Sequence, residues 1–458
     1  MKFLILSAIF SIIVRSTIAT TWYQDSTNLE PIELSNGDRF GGSLSVSGDK
    51  LAVAAYWDDG DGGGSNRGIV YTYQWSGSAW IQDASALAPS ELSDNDSFGQ
   101  NLDMDGDKLI VSTQDAGTYT YQWSGSAWVK DTTILTESGY VSLSGDKMAI
   151  GYSSSDVGGT DRGIVYTYQW SGSAWVKDGA DIQATQLADS DRFGQSLSMD
   201  GNKLAVSAGQ DDDIADNAGA VYTFQWSGSA WVQDGPILAP TGLGSFAGFG
   251  VDVQMSGDKL VVGTPNSDIG GSNRGVVYTY QWSGSAWVED GPLQPTGLDN
   301  SDTFGRKVAL SGNYLAVSAP GDDDIDTASG KVYTFTWSGS AWVQDSLSIA
   351  PSELLYIDQF GFSGLDLDGD VLVASSYTHD TTDKGIVFTF RDAIISTEAP
   401  SSSPSASPTA SPIVQLCDPQ NCNNGGGCGH EKMGSHCTCQ FPHWGVTCDN
   451  IANLGNFV

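Results

Sequence analysis

Residues 69–83 read IVYTYQWSGSAWIQD, and the fold follows from this stretch. Ile69-Val70-Tyr71-Thr72-Tyr73-Gln74-Trp75 is dense in β-branched and aromatic residues, the composition of a strand. Ser76-Gly77-Ser78 is a tight turn in which glycine takes a positive φ at little cost. Ala79-Trp80-Ile81-Gln82-Asp83 is the returning strand. Working outward, residues 40–47 alternate apolar and small polar side chains, Ser47-Gly48-Asp49 turns the chain, and residues 51–55 form a continuous apolar strand. A long loop over 56–67 leads back to the hairpin. The unit is four antiparallel strands, A to D, the content of one propeller blade.

The unit repeats. WSGSAW begins at Trp75, Trp123, Trp170, Trp226, Trp282 and Trp337, with spacings of 48, 47, 56, 56 and 55 residues. The turn glycine before strand B recurs at Gly48, Gly106, Gly145, Gly201, Gly257, Gly312 and Gly369, which makes seven units. A period of this length signals a propeller or another repeat array. The seventh unit lacks the hairpin, but Trp22-Tyr23-Gln24-Asp25 matches Trp80-Ile81-Gln82-Asp83 and Trp231-Val232-Gln233-Asp234. The N-terminal segment is therefore predicted to supply the missing D strand and remove a free edge. The predicted fold is all-β: a seven-bladed propeller over residues 20–395 closed by an N-terminal strand, followed by a small disulfide-rich domain. Unit 3 lacks the usual Phe-Gly at strand A, and unit 2 has only Gln114-Asp115-Ala116-Gly117 between strands B and C, so the rim is expected to be lowest there.

The chain of 458 residues carries 20 Lys and Arg against 55 Asp and Glu, a net charge of −35. That excludes nucleic acid and disfavours an anionic membrane surface, because both need clustered bases. Residues 1–19 read as a secretory signal, with Lys2, an apolar run and the small-residue site Thr17-Ile18-Ala19. No later stretch is long and apolar enough to span a bilayer, so the product is expected to be secreted or extracellular. All six cysteines lie between Cys417 and Cys448, as expected where a tiny domain cannot build a core. Residues 396–414, rich in Ser and Pro, read as an extended linker, and 450–458 as a tail. Asn95-Asp96-Ser97 is a glycosylation sequon at Asn95.

Strand alternation places the A–B and C–D turns on one side of the propeller, short and uniform. The B–C loops and the connections to the next blade lie on the other, long and acidic. Candidate binding residues there are Asp58, Asp59 and Asp61; Asp211, Asp212, Asp213 and Asp216; and Asp322, Asp323, Asp324 and Asp326. A variable loop face reads as the binding face. Each carboxylate also has a plain reading as a turn former or solubilising charge. Ca²⁺ is a possible ligand, since it takes six to eight oxygens, and Asp103-Met104-Asp105-Gly106-Asp107 and Asp366-Leu367-Asp368-Gly369-Asp370 begin like calcium loops. Both, however, run straight into strand B. Arg67, Arg162 and Arg274, each before a strand-C glycine, are expected to make local ion pairs. The Trp pairs read as cross-strand packing, or as sugar-stacking sites, one per blade.

Phe-Gly opens strand A at Phe40, Phe98, Phe193, Phe249, Phe304 and Phe360, and strand B ends in Ser318-Ala319-Pro320 or Gly263-Thr264-Pro265. This resembles the FG-GAP repeat of the integrin α-subunit propeller over about 370 residues. The resemblance implies a seven-bladed propeller that binds through loops on one face. That family's calcium loop lies between strands A and B, where this chain has mostly Ser-Gly-Asp-Lys, so the calcium role does not transfer. The cysteine spacing, with Asn424-Gly425-Gly426 and Trp444-Gly445, resembles an EGF-like module over 415–449. Spacing alone leaves fifteen connectivities. The resemblance implies Cys417–Cys428, Cys422–Cys437 and Cys439–Cys448, and Val414-Gln415-Leu416 before the first cysteine points to a module without calcium.

Catalysis is not expected. Of four histidines, three lie among the cysteines, which leaves His379 for any Ser-His-Asp arrangement in the propeller. Acidic pairs abound and none is singled out for glycoside hydrolysis, and the repeated Asp-containing turn of sialidase-like propellers is absent from WSGSAW. The function expected is adhesion or recognition of an extracellular protein, basic or cation-bridged. A glycan-binding propeller and a matrix structural protein are the alternatives.

Overall fold

A computed structural model of the chain describes residues 21–25, 27–60, 65–379, 382–392, 429–430 and 435–436. The chain divides into two parts after Ala399, and the described residues of the first fold as seven four-stranded antiparallel sheets. The first blade is Phe40–Ser47, Lys50–Ala55, Ile69–Trp75 and Trp80–Gln82. The innermost strands of the other six are Asn101–Asp105, Tyr140–Ser144, Phe193–Asp200, Val253–Ser256, Val308–Ser311 and Leu365–Asp368. Each packs against the innermost strand of the next blade, and the seventh packs against the first. The ring is closed. In the separate C-terminal unit, Gly429–His430 pairs with Ser435–His436.

Closure uses the predicted strand. Trp22–Gln24 pairs with Ile386–Asp392, and Gln24 faces Phe390 as Gln82 faces Tyr73 in blade 1. Asp25 accepts the Thr389 hydroxyl at 2.7 Å, as Asp83 accepts that of Thr72 at 2.6 Å. Leu29 bridges Val387 as Leu87 bridges Val70. The segment thus repeats the register of an internal D strand, side chain by side chain.

The core lies between blades. The strand-A phenylalanines Phe40, Phe98, Phe193, Phe249, Phe304 and Phe360 are fully buried. Each meets the edge or face of an aromatic ring on strand C of its own blade, as Phe193 meets Tyr222 at 5.6 Å. The glycine that opens strand C makes this possible. Gly163 has φ +83°, and a Cβ there would lie 1.9 Å from the Phe193 carbonyl oxygen. Two penalties therefore fall on one substitution, a left-handed backbone and a backbone clash. Gly163→Ala is expected to cost roughly 3 kcal/mol or more in urea unfolding, with an unchanged slope.

Candidate binding face

The uniform face is spent on holding the ring together. The residue before each turn glycine is Ser or Asp, and its side chain accepts the N–H of the next blade's turn glycine. Gly106 donates to Ser47, Gly145 to Asp105, Gly201 to Ser144, Gly257 to Asp200 and Gly312 to Ser256. Gly369 donates to Ser311 at 3.0 Å and Gly48 to Asp368 at 2.7 Å, and these two bonds flank blade 7. Seven bonds close the circle. Asp105 and Asp368, which resemble calcium ligands in sequence, hold these amides, and the A–B turn has no loop left for an ion. The residues present do not fit the calcium site of the resembled family. Among the described residues no group of three or more His, Cys, Asp or Glu stands ready to hold a metal.

The lysine of the same turn caps the next blade. Lys147 lies 4.1 Å from the Trp226 ring centroid and 5.4 Å from Trp231. Lys203 lies 4.8 Å from Trp282 and 5.0 Å from Trp287. Arg391 caps Trp75 at 3.5 Å, and Tyr314 meets Trp22 edge-on at 6.2 Å. Within each hairpin the two tryptophans pack at 5.3–5.6 Å. Among the described residues, the two rings of each pair thus engage one another and, in every hairpin but that of Trp170 and Trp175, a neighbouring cation. Each such contact contributes about 0.5–1 kcal/mol at partly exposed sites.

The loop face is built differently. Five of the seven connections into strand A carry an Asp whose carboxylate accepts the N–H three residues back; those into blades 3 and 5 have no Asp there. Asp38 takes Ser35, Asp96 takes Ser93, Asp191 takes Ala188, Asp302 takes Asp299 and Asp358 takes Leu355, at 2.5–2.7 Å. The residues on either side adopt positive φ, as Ser190 (74°) and Arg192 (59°) do around Asp191. Asp358 also bonds the His379 ring at 2.8 Å.

The B–C loops divide the predicted aspartates into two classes. Asp58, Asp211 and Asp322 are buried and accept the hydroxyls of Tyr71, Tyr222 and Tyr333 at 3.3, 3.0 and 3.0 Å. They shape the loop. Asp59, Asp212, Asp213, Asp216, Asp323, Asp324 and Asp326 are exposed. Asp324 pairs with Lys331, and the Asp59 side chain holds the Asn66 amide at 2.9 Å. Among the described residues, Asp212, Asp213, Asp216 and Asp323 have no side-chain hydrogen bond or ion pair. Asp61, the signal, the linker and the six cysteines lie outside the described residues. Asn95 is exposed on this face, and its side chain accepts from Asn66 at 3.1 Å.

Buried carboxylates from adjoining segments face each other here. Burial, and then Asp58 and Asp59, push Asp38 up to about 6, against the pull of the Ser35 amide. Burial raises Asp191 and Asp302 to about 6 in the same way, with Asp211 and Asp322 opposite. Two of the expected arginine pairs form, Arg162 with Asp189 at 2.9 Å and Arg67 with Asp94 at 3.5 Å. Arg274 has none among the described residues, because Asn300 occupies the equivalent position.

The central channel holds a polar cavity of about 220 Å³ lined by the A strands. Asp103 and Asp366 line it and are half-buried. Asp103 binds the Leu143 amide and Asp366 the Val46 amide, at 2.7 and 2.8 Å. Burial raises both, Asp103 to about 7 with help from Asp366, and Asp366 to about 6.

Comparison with known families matches the FG-GAP repeat to residues 23–73, 176–224, 231–280 and 287–335. Each match begins in the D strand of one blade and ends in strand C of the next, so the sequence repeat is offset from the blade and the N-terminal strand opens the first copy. A search of curated proteins finds no match.

Proposed function

We propose that this chain, which carries FG-GAP repeats folded as a seven-bladed propeller, is an extracellular recognition or adhesion protein. It binds a basic protein partner through the acidic loops of one face, directly or through a bridging cation. The observation that carries this reading is the split among its carboxylates. One Asp in each of three long loops is consumed by the fold, while Asp212, Asp213, Asp216 and Asp323 project with no partner among the described residues. Clustered unpaired charge costs stability through repulsion and accelerates capture of an opposite charge. Among the described residues no helix is long and apolar enough to cross a membrane. The test is an array of extracellular proteins probed at low and high salt. Basic partners whose signal falls several-fold as salt rises are expected. Hits without basic patches, or binding indifferent to salt, would overturn the reading.

A further inference from the structure

The loop-face end of the channel breaks the charge pattern of the molecule. Arg39 directly precedes strand A of blade 1, and Trp57 follows strand B of the same blade. Tyr377 follows strand B of blade 7, whose strand A is approached through Phe362, and Arg306 approaches strand A of blade 6. All five therefore stand where the innermost strands meet the loop face, on three consecutive blades. They form a continuous stack. The Arg39 guanidinium lies 3.4 Å from the Trp57 ring centroid and 5.4 Å from Tyr377. Tyr377 meets Phe362 at 5.8 Å, and the Arg306 guanidinium lies 4.3 Å from Phe362.

Neither guanidinium has an ion pair or a hydrogen bond among the described residues, and the Nε of each is buried with no acceptor. Among the described residues four arginines lack a carboxylate partner, Arg39, Arg192, Arg274 and Arg306, and of these only Arg39 and Arg306 stack on aromatic rings. Arg67, Arg162 and Arg391, on the same scaffold, each have a carboxylate partner. Arginine stacked on aromatic rings leaves its in-plane fork, not its face, to meet a planar two-oxygen acceptor. A buried donor without a partner calls for one.

We propose that this arginine–aromatic collar is a carboxylate site, and that its occupant is a single carboxylate presented among basic residues by a protein partner. The charge of the molecule selects the source. A polyuronate chain carries many carboxylates, and the acidic rim around the collar would repel it. A basic surface with one Asp, Glu or C-terminus satisfies the rim and the collar together. This inference rests on the proposed recognition of a basic partner and adds a point of register to it, since a fork fixes orientation where a diffuse rim cannot.

The test uses the full chain and two short lysine-rich peptides with blocked termini, identical except for a central Asp or Asn, titrated by calorimetry. The Asp peptide is expected to bind about tenfold tighter. That ratio should collapse toward one in Arg39→Met and Arg306→Met, while affinity for the Asn peptide stays unchanged. Lysine at either position keeps the charge without the fork and should give an intermediate ratio, which separates the role from a loss of folding. Equal affinity for the two peptides would overturn the collar and leave the rim reading standing. Failure of both to bind at low salt would overturn both. An oligogalacturonate that binds with the same arginine dependence, where the peptides show none, would overturn the choice of occupant.

Discussion

Removing residues 21–29 should abolish the single cooperative unfolding transition of the propeller. The expectation follows from what that segment supplies. It provides the entire D strand of blade 7, in the register of an internal one. Leu29 is 6 % exposed and joins the core shared by blades 7 and 1. Trp22 packs on Tyr314 of blade 6, and Asp25 holds Thr389. Without it, Ile386–Asp392 becomes an open edge over a buried apolar face, the arrangement that recruits strands from other molecules. The truncated chain should melt broadly, with a midpoint lower by 10 °C or more, about the effect of losing several buried side chains, and should associate as concentration rises. A peptide covering the segment, added in trans, should restore the transition. A truncated chain that melts like the intact one would mean that the ring stays closed without its seam.

Stability should rise as pH is lowered from 7.5 to 5, opposite to the usual acidic trend. Asp38, Asp191, Asp302 and Asp366 are pushed up to about 6 and Asp103 to about 7, above the ordinary value of 3.8. Between these values the folded state binds more protons than the unfolded chain, so stability falls as pH climbs from about 4 through 6 to 7. Relief of repulsion in a chain of net charge −35 acts in the same direction. Glu91, Glu137 and Asp258 are held below their ordinary values by Lys130, by Tyr168 and Lys177, and by Lys259 respectively, so their contribution persists until the pH falls below about 4. The optimum should therefore lie near pH 5, with a Tm higher by on the order of 5 °C than at pH 7.5. Asp103→Asn with Asp366→Asn should flatten part of that rise by raising the value at pH 7.5. A Tm that falls steadily on acidification would refute the assignment of these carboxyls.

The blades and their closure were legible because both are written locally. A hairpin needs its glycine and its aromatic flanks within a dozen residues, and Trp22-Tyr23-Gln24-Asp25 repeats Trp80-Ile81-Gln82-Asp83 except at one position that faces solvent. What joins blade to blade was not legible, because those partners lie 40 to 59 residues apart, or 320 across the seam. One signal was there to be read. The position before the turn glycine is Ser47, Asp105, Ser144, Asp200, Ser256, Ser311 or Asp368, always a short side chain that can accept a hydrogen bond. A turn that needed only its glycine would not show that restriction. Composition located the acidic face correctly but could not say which carboxylate in a run of three points inward. The tyrosine hydroxyls behind Asp211 and Asp322 decide that, and they belong to strand C, eleven residues later. The expected pairing of Arg274 failed for a similar reason, since its partner position holds Asn300.

The most direct test of the account replaces exposed aspartates and leaves the buried ones in place. A variant with Asn at Asp212, Asp213, Asp216 and Asp323, the exposed aspartates whose side chains have no partner among the described residues, is compared with the native chain for binding to a partner from the low-salt array, with the melt recorded alongside. The account predicts that binding falls by at least tenfold while Tm holds or rises slightly, because these side chains repel one another and bear little of the fold. Undiminished binding with an intact melt would contradict it, and would move the recognition surface off the acidic rim.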